Sequence, residues 1–564
     1  MRSSIADALT RDDVLLNQEG SIAFRHDARA TLVNMAATCV FSETLFYGDT
    51  WQEIDQPIRE IGASHPDWLM KLAVWLREQQ QLRAIPARML ALGATMQSCR
   101  PYVQAAFSRV CRRPDDLLYI AEQVKDARGG LCNGSPHVIR TCIAQELAQL
   151  SEWHAIKYRK GQHFGLKHLL QLYHPRPVDD HQRLLYRWIC APKQWSRWTK
   201  EERAVLPVIA AYERFKHAPR EDLETLAEAA RTGQLPWEMV IARLGNCPEA
   251  WRLVLEHLPV MALIRNLRNL HIAGVLADRS ALEYVLGVLG NPEIIRQSRQ
   301  LPFRWLAAWR EVAPLHPELG RALEGALELS VVNMPHWSGT TAIACDNSGS
   351  MLTPLGQYSA ISARDLANLL GTMIAALCDD GLFFLFGSIA RRLPDPHYLP
   401  EAYQHYRALP LLQRFARVNT IGNTVGASTQ AYKVLAWLLA RNITVDRLVY
   451  LTDMQIYGNP DTEELLGWIF PIDNQYFPRL IREYRRRINP RLQTIIINLQ
   501  PYDQFLTPQT GGSTTTRGTA ITLQPEDDCG VTYVAGWSES LLGYISMIDQ
   551  GGWSLVEEMN RISL

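Results

Sequence analysis

The hydrophobic positions change their spacing once along the chain, near residue 335. Before that point they recur with helical periodicity, and Leu69, Leu72, Ala73 and Leu76 follow the i, i+3, i+4, i+7 spacing of one helix face. Prolines punctuate this part at short intervals. Because proline is tolerated at a helix start but not in a helix interior, they predict many helices of about 10–20 residues joined by short turns. An irregular array of helix pairs fits this pattern.

Beyond about residue 338, short apolar runs alternate with amphipathic stretches. The runs predict strands at 341–345, 382–386, 447–451, 492–497 and 531–534. The stretches between them predict helices at 360–378, 427–440, 474–488 and 539–548. Strands that alternate with helices indicate a parallel α/β sheet, in which ligands bind outside the carboxyl ends of the strands.

Composition narrows the class of protein. The 564 residues are 47% hydrophobic and 21% charged, which is typical of a globular protein. Lys+Arg and Asp+Glu both number 58, so a uniformly basic nucleic-acid coat is excluded, although a local basic face is not. The 10 cysteines form no CxxC pair and indicate reduced thiols. With no signal-peptide pattern and no apolar run of about 18 residues, the sequence predicts a cytoplasmic protein without a membrane span.

Hard oxygen ligands follow the first predicted strand. Asp346, Ser348 and Ser350 read D-x-S-x-S directly after an apolar run, and Gly349 permits a tight turn between the serines. Carboxylate and hydroxyl oxygens suit Mg²⁺ or Mn²⁺. The alternative interpretation is a helix N-cap, a position that Ser350 could fill.

Two later segments add oxygen ligands to this set. Thr424 lies in a Gly-Asn-Thr segment that is expected to open a helix, and Asp453 follows the strand predicted at 447–451. Together with D-x-S-x-S, this order of residues resembles the metal-ion-dependent adhesion site of von Willebrand factor A domains. Such a site implies an electron-poor cation that seeks an anionic oxygen from a partner. A hydrolase with Asp346 as nucleophile is disfavoured, because Ser348 stands where a phosphatase-type DxD loop has its second acid.

Separate sequence blocks in the first part carry a second resemblance. They read LAVWLREQQQLR (72–83), KYR (157–159), LLQLYHPRP (169–177), LPWE (235–238), ALIRNLRNLHIAGV (262–275) and SRQLPFRWL (298–306). With DNSGSM after the first strand, they resemble the Ro autoantigen (TROVE-module) family over about residues 17–555, and the divergence looks like that of a bacterial Ro relative. One departure is Phe164-Gly165-Leu166-Lys167, where the family pattern has Trp-Ser-His-Lys, so Leu166 stands at the histidine position and Lys167 is retained.

The resemblance implies a mixed fold. An all-α, HEAT-like helical-repeat ring (17–335) would be closed by a C-terminal α/β von Willebrand factor A domain of Rossmann-like topology (336–564). It also implies a non-catalytic, monomeric protein that binds Y RNA and passes single-stranded 3′ ends of misfolded non-coding RNA through a basic hole. Polynucleotide phosphorylase or another RNA-processing enzyme would be a partner.

Independent support for RNA binding comes from converging basic side chains, which phosphate contact requires. The candidates are Lys157, Arg159, Lys160, Lys167, Arg265 and Arg268. A helix through Lys157 and Lys160 would place both on one face, and Arg265 and Arg268 have the same spacing. The alternative in each case is a solvated or helix-tying surface. Arg83 is expected to form a structural ion pair instead.

The densest cationic cluster lies on a predicted helix of the second part, at Arg479, Arg482, Arg485, Arg486, Arg487 and Arg491. It is either a solvated outer helix or a docking face for RNA or a partner. A different class of function also stays open for the whole chain. In that reading the adhesion-type site recruits a partner carboxylate and the helices serve only as a protein-interaction scaffold. Only the RNA-binding reading predicts steeply salt-dependent affinity for RNA.

Overall fold

A computed structural model describes residues 52–79, 82–127, 136–159, 164–300, 302–331, 336–354, 361–394, 408–453, 476–499, 531–535 and 559–564, and the single residues 29, 32, 33, 36 and 406. The chain divides into two compact units. Ile54–Ser298 and Glu558–Leu564 form the helical unit, and Arg299–Glu557 forms the main part of the α/β unit. No helix among the described residues is long and apolar enough to cross a membrane.

The helical unit is a succession of short helices. They are α1 (Gln52–Ser64), α2 (Pro66–Glu78), α3 (Ala84–Thr95), α4 (Arg100–Val110), α5 (Pro114–Ala127), α6 (His137–Leu147), α7 (Glu152–Tyr158), α8 (Leu166–Tyr173), α9 (Asp180–Cys190), α10 (Lys200–Ala204), α11 (Pro207–His217), α12 (Leu223–Thr232), α13 (Trp237–Leu244), α14 (Pro248–Val254), α15 (Val260–Ile272), α16 (Arg279–Gly290) and α17 (Pro292–Ser298). Prolines open α2, α5, α11, α14 and α17, as their spacing predicts. The four apolar residues that define one face of α2 are fully buried.

A buried ion cluster ties α5 to α2 and to the segment between α2 and α3. Arg83 donates from Nε to Asp116 at 2.7 Å and from Nη2 to Asp115 at 2.6 Å. Arg77 donates to Asp116 at 3.0 Å. The structural ion pair expected for Arg83 is therefore confirmed. Burial alone would raise the pKa of Asp116, but the charges of Arg83 and Arg77 outweigh it and lower that pKa.

The helical unit also includes the last described residues of the chain. Met559 is fully buried, and Arg109 of α4 donates from Nη1 to the carbonyl oxygen of Ser563 at 2.5 Å. By contact, Glu558–Leu564 therefore belongs with helices that precede it by several hundred residues.

The α/β unit begins with a helix pair and continues into a sheet. Its elements are α18 (Pro302–Val312), α19 (Pro317–Val331), β1 (Trp337–Asp346), α20 (Ala363–Leu377), β2 (Cys378–Phe386), β3 (Ala390–Leu393), α21 (Leu411–Gly422), α22 (Tyr432–Ala440), β4 (Arg447–Thr452), α23 (Tyr476–Arg487), β5 (Gln493–Asn498) and β6 (Val531–Ala535). The change of sequence pattern near residue 335 coincides with the start of β1, whereas the compact unit begins at Arg299.

The sheet has the order β3-β2-β1-β4-β5-β6. All neighbouring strands are parallel except the edge pair β2 and β3. Each of the predicted strands is present, and β3 and α21 are additional elements. The helix predicted at 427–440 begins later, at Tyr432, and the one predicted at 539–548 lies outside the described residues. Because the chain leaves β1 toward β2 on one side and reaches β4 on the other, the strand order reverses between β1 and β4.

Helix α20 packs closely against β1, and a glycine makes that approach possible. A Cβ atom at Gly371 would lie 2.3 Å from Cys345 Sγ and 3.0 Å from Phe383 Cε2. The helix starts at a capping box, in which Ser362 and Asp365 satisfy each other's backbone amides. The backbone of α20 therefore has a fixed start and a fixed distance from the strand that carries the D-x-S-x-S motif.

The Gly371→Ala substitution should destabilise the α/β unit by about 1–3 kcal/mol, because the added methyl group overpacks the interface between α20 and β1. Denaturant unfolding would measure the loss. The matched control is Gly325→Ala in α19, where a Cβ atom would meet nothing within 4 Å. That substitution should be neutral or stabilise by up to about 1 kcal/mol. Equal effects at the two positions would contradict this account of the packing.

Asp116→Asn should destabilise the helical unit by about 3–5 kcal/mol, because it leaves Arg77 and Arg83 without the charge that they share. Since the pKa of Asp116 is lowered by folding, its contribution is fully present above the ordinary aspartate pKa of about 4 and is lost as the pH falls below that value. Unfolding of parent and variant should therefore converge only in acid. Asp67→Asn, which breaks a partly exposed pair with Lys71, is the control and should change stability by less than about 1 kcal/mol at any pH.

Candidate functional site

The carboxyl ends of β1 and β4 meet at the point where the strand order reverses. Asp346 is the last residue of β1 and pairs with Phe386 at the end of β2. Thr452 ends β4, in register with Asn498 of β5. Asp453 follows Thr452 directly, so the two aspartates of the motif lie at the same edge of the sheet. This is the crevice in which doubly wound sheets bind ligands.

Asp346 is a fully buried carboxylate. Its Oδ2 accepts a hydrogen bond from Thr452 Oγ1 at 2.6 Å, and its Oδ1 accepts one from the Ser348 amide at 2.9 Å. Asp453 and Ser348 are also fully buried. Burial raises the pKa of Asp346, and the neighbouring charge of Asp453 raises it further. Negative charge is therefore unfavourable at this edge of the sheet unless a cation offsets it.

The two serine hydroxyls of the motif converge. Ser348 Oγ and Ser350 Oγ lie 3.2 Å apart, and Ser350 opens a short 3-10 helix, Ser350–Leu352. That helix has no side-chain cap, and the following helix α20 is capped by Ser362. The capping alternative for Ser350 is therefore wrong, and both hydroxyls lie on the loop that directly follows Asp346.

Thr424 lies at the end of a helix and not at a start, which corrects the sequence-based expectation. Gly422 is the last residue of α21, because the apolar spacing of Leu411, Phe415 and Val418 builds the helix before it. Thr424 is exposed and donates from Oγ1 to the carbonyl oxygen of Ile421 at 2.7 Å. The loop that carries Thr424 contacts the loop of the D-x-S-x-S motif, where the Gly349 amide donates to the Ala427 carbonyl at 3.0 Å.

These residues fit a hard divalent cation in the chemistry of their donors. Among the described residues, no group of three or more His, Cys, Asp or Glu side chains could hold a metal, so a cation at this edge would depend on hydroxyl oxygens as well. Asp346 and Asp453 are neighbouring buried carboxylates, and a cation there would offset their charge. Sequence reasoning missed the role of Thr452, whose hydroxyl holds Asp346 in place. Its position beside Asp453 was the available signal.

The candidate RNA-binding residues of α7 are partly engaged within the helical unit. Lys157 Nζ lies 3.6 Å from Glu238 Oε1 and 4.9 Å from the Trp153 ring centroid. The guanidinium of Arg159 lies 5.4 Å from the Trp188 ring centroid. Lys157 therefore links α7 to α13, which begins within the LPWE segment and contains Glu238.

Helix α7 ends at Tyr158, before Lys160. Lys160 lies outside the described residues, so the predicted shared helix face with Lys157 gains no support. Lys167 is exposed on α8, beside Leu166, which is fully buried. The departure from the family pattern at Leu166 is therefore a core position.

Arg265 and Arg268 are both exposed on α15. Asn266 between them is buried and donates from Nδ2 to the Ala262 carbonyl at 2.8 Å, within its own helix. Asn269 donates to Asn266 Oδ1 at 2.9 Å. The two asparagines therefore form hydrogen bonds within α15, whereas the two arginines lie on its exposed face.

The cationic cluster occupies the outer side of α23. Ile481 and Tyr484 are buried on its inner side, and Tyr484 Oη donates to the Ile443 carbonyl at 2.6 Å. Exposed arginines along α23 and its end are Arg482, Arg486, Arg487 and Arg491. Arg487 pairs with Glu483 at 3.0 Å, and the side chain of Arg479 lies outside the described residues.

An all-α helical part followed by a doubly wound α/β part of von Willebrand factor A type, with D-x-S-x-S at its switch point, defines the class of protein and confirms the predicted fold class. The TROVE domain model matches residues 14–204 and 228–324, more than half of the chain. The chain therefore belongs to the TROVE domain family, whose members are RNA-binding proteins.

Known proteins resemble the chain in two ways. In fold it is similar to the Ro (RSR) protein of Deinococcus radiodurans, whose crystal structure matches with a TM-score of 0.66 and 18% identity over 93% of this chain and 100% of that one. In sequence it is 25% identical to telomerase protein component 1 of Mus musculus over 309 residues and of Rattus norvegicus over 302 residues. Those matches span 46% and 45% of this chain but only 12% and 11% of the relatives' own length.

Proposed function

We propose that the chain is a non-catalytic RNA-binding protein of RNA quality control. It would bind Y-type small RNAs and the single-stranded 3′ ends of misfolded non-coding RNA, and would present them to polynucleotide phosphorylase or another processing enzyme. We further propose that it acts as a monomer in the cytoplasm. Membership of a family of RNA-binding proteins supports the general class.

The observation that carries the proposal is the exposed pair Arg265 and Arg268 on α15. Guanidinium groups recognise phosphate through paired N–H donors, and they also stack on unpaired bases. The pair lies in one of the sequence blocks that carry the family resemblance. Lys157, Arg159 and Lys167 are the second proposed contact group, with Lys157 also engaged by Glu238.

We also propose a Mg²⁺ or Mn²⁺ site held by Asp346, Ser348, Ser350, Thr424 and Asp453. The cation would supply a strong positive charge that accepts an anionic oxygen from a partner. The side chains of this chain hold and orient it: Thr452 and the Ser348 amide fix Asp346. The buried pair of aspartates supports the assignment, because a divalent cation offsets their mutual repulsion.

A second candidate function uses the same site without RNA. The convergent hydroxyls and carboxylates at one sheet edge favour a protein-interaction scaffold that recruits a partner carboxylate through the cation. Absence of RNA binding at every salt concentration would favour this alternative.

Replacing Arg265 and Arg268 together by Ala should weaken binding of a hairpin RNA that carries a single-stranded 3′ tail. Gel-shift affinities at several salt concentrations, with and without the tail, measure the effect. Loss of two phosphate contacts to a single strand should reduce the log–log salt slope by about 1.4. The melting temperature should stay nearly unchanged, because both side chains are exposed.

The matched control is the double variant Arg220→Ala and Arg231→Ala, which removes the same charge from exposed positions of the same unit. It should preserve tail-dependent binding. An unchanged affinity of the Arg265 and Arg268 variant at low salt would remove the role proposed for α15.

Mg²⁺ should raise the melting temperature of the parent chain, since a ligand at 100 times its Kd stabilises by about 2.7 kcal/mol. Asp346→Ala should abolish that increment. Asp379→Ala is the control, because Asp379 accepts from the Gly339 amide near the amino-terminal ends of the strands and should retain the increment. Identical melting of the parent chain with and without Mg²⁺ would show that the metal assignment is wrong.

A further inference from the structure

We propose that the ligand loop at Asp346–Ser350 is energetically coupled to helix α18 through a buried chain of amide hydrogen bonds, so that Mg²⁺ binding at the loop changes the stability of α18. The metal-dependent half of this inference rests on the proposed metal site. The coupling itself rests on contacts within the α/β unit.

The chain of contacts begins inside the motif. Asn347 lies between Asp346 and Ser348 and is 4% exposed. Its Nδ2 donates to the Cys345 carbonyl at 3.1 Å and to Asn368 Oδ1 at 3.0 Å. Asn368 Nδ2 donates back to Asn347 Oδ1 at 2.9 Å. The two amides therefore form a reciprocal pair between the ligand loop and α20.

Asn368 extends this series of hydrogen bonds to α21. It is fully buried, and its Nδ2 also donates to Asn419 Oδ1 of α21 at 2.6 Å. Asn419 Nδ2 in turn donates to Asp365 Oδ1 at 2.7 Å. Each of these amides acts as donor and acceptor at once, so the contacts run unbroken from the loop through α20 and α21.

The series of hydrogen bonds ends at Arg310 of α18. Arg310 donates to Asp365 with both terminal nitrogens, from Nη2 to Oδ1 at 2.6 Å and from Nη1 to Oδ2 at 3.2 Å. Its guanidinium also lies 5.6 Å from the Phe415 ring centroid on α21. Arg310 therefore binds both helices that hold the amide chain, and the bidentate geometry fixes its orientation.

Steric contact limits how Asn347 can move. A Cβ atom at Gly422 would lie 2.1 Å from Asn347 Oδ1, so the end of α21 touches the amide directly. A shift of Asn347 must therefore break its buried hydrogen bonds or displace α21. Leaving a buried amide unsatisfied costs about 1–3 kcal/mol, which favours concerted displacement of the linked groups.

Cation binding acts on the residues that flank Asn347. Asp346 and Ser348 are proposed ligands, and a bound cation would restrict both, hence also the amide between them. Coupling between two sites is reciprocal, so loosening α18 must loosen the loop by the same free energy. Helices α18 and α19 continue the chain directly from Ser298, and the TROVE match extends through α18 into α19. The metal site would thus influence a segment that belongs to the RNA-binding family by sequence.

Hydrogen exchange of the full chain, with and without MgCl₂, tests the coupling. In the parent chain Mg²⁺ should slow amide exchange in 346–351 and also in 302–312, the latter by about 2- to 30-fold. Asn368→Leu, which keeps the side-chain size but removes the hydrogen bonds, should preserve the first effect and lose the second. The control is Gln413→Ala, because the bond from Gln413 to Glu324 at 3.2 Å joins α21 to α19 outside the amide chain. Both effects should survive in that variant.

A metal-free measurement separates the coupling from the metal site. Arg310→Gln should speed amide hydrogen exchange in 346–351 without Mg²⁺, because it breaks the bidentate contact with Asp365 at the α18 end of the hydrogen-bond series. If that variant leaves the loop unchanged, or if Mg²⁺ slows the loop of the parent chain but not 302–312, the coupling is wrong while the metal site stands. If Mg²⁺ slows neither segment but Arg310→Gln still loosens the loop, the coupling stands and the proposed metal site fails.

Discussion

The burial of two carboxylates at one edge of the sheet is the constraint that organises the α/β unit. Asp346 and Asp453 have no solvent exposure, and a buried anion is tolerated only when hydrogen-bond donors or a cation surround it. The donors come from different elements, the Thr452 hydroxyl at the end of β4 and the Ser348 amide of the loop. Asn347, Asn368 and Asn419 extend the hydrogen bonding away from Asp346 without adding charge next to it.

Much of the α/β unit could be predicted because its strands are continuous apolar runs, as in sheets covered on both faces. The edge where Asp346 and Asp453 meet follows from parallel pairing alone. Other features were not accessible. Asn347 reads as a spacer in the motif. Its partner Asn368, and Asn419 to which Asn368 donates, lie in helices whose relative placement only packing determines. The Gly-Asn-Thr segment at the end of α21 did not show whether a helix ends or begins there, because these residues suit both positions.

The helical unit shows the same limit in its basic residues. Arg83 was expected to form an ion pair, and it does, but its partners Asp115 and Asp116 lie on α5, beyond two intervening helices, and the sequence did not identify them. The partner of Lys157 is Glu238, far along the chain, and no local pattern connects the two. That Arg265 is exposed and Asn266 is buried follows from the helical period, whereas no sequence pattern indicates the hydrogen bond from Asn266 to the Ala262 carbonyl.

The chain path through the two units has a consequence for biosynthesis. Met559 and Ser563 complete the packing of helices that precede them by the entire α/β unit. In topological terms, Arg299–Glu557 is an insertion within the helical unit. Since a nascent chain emerges from its amino terminus and folds domain by domain, Ile54–Ser298 can pack against Glu558–Leu564 only after the inserted segment has been synthesised. Packing around Arg109 therefore waits until residues on the far side of the α/β unit have been made.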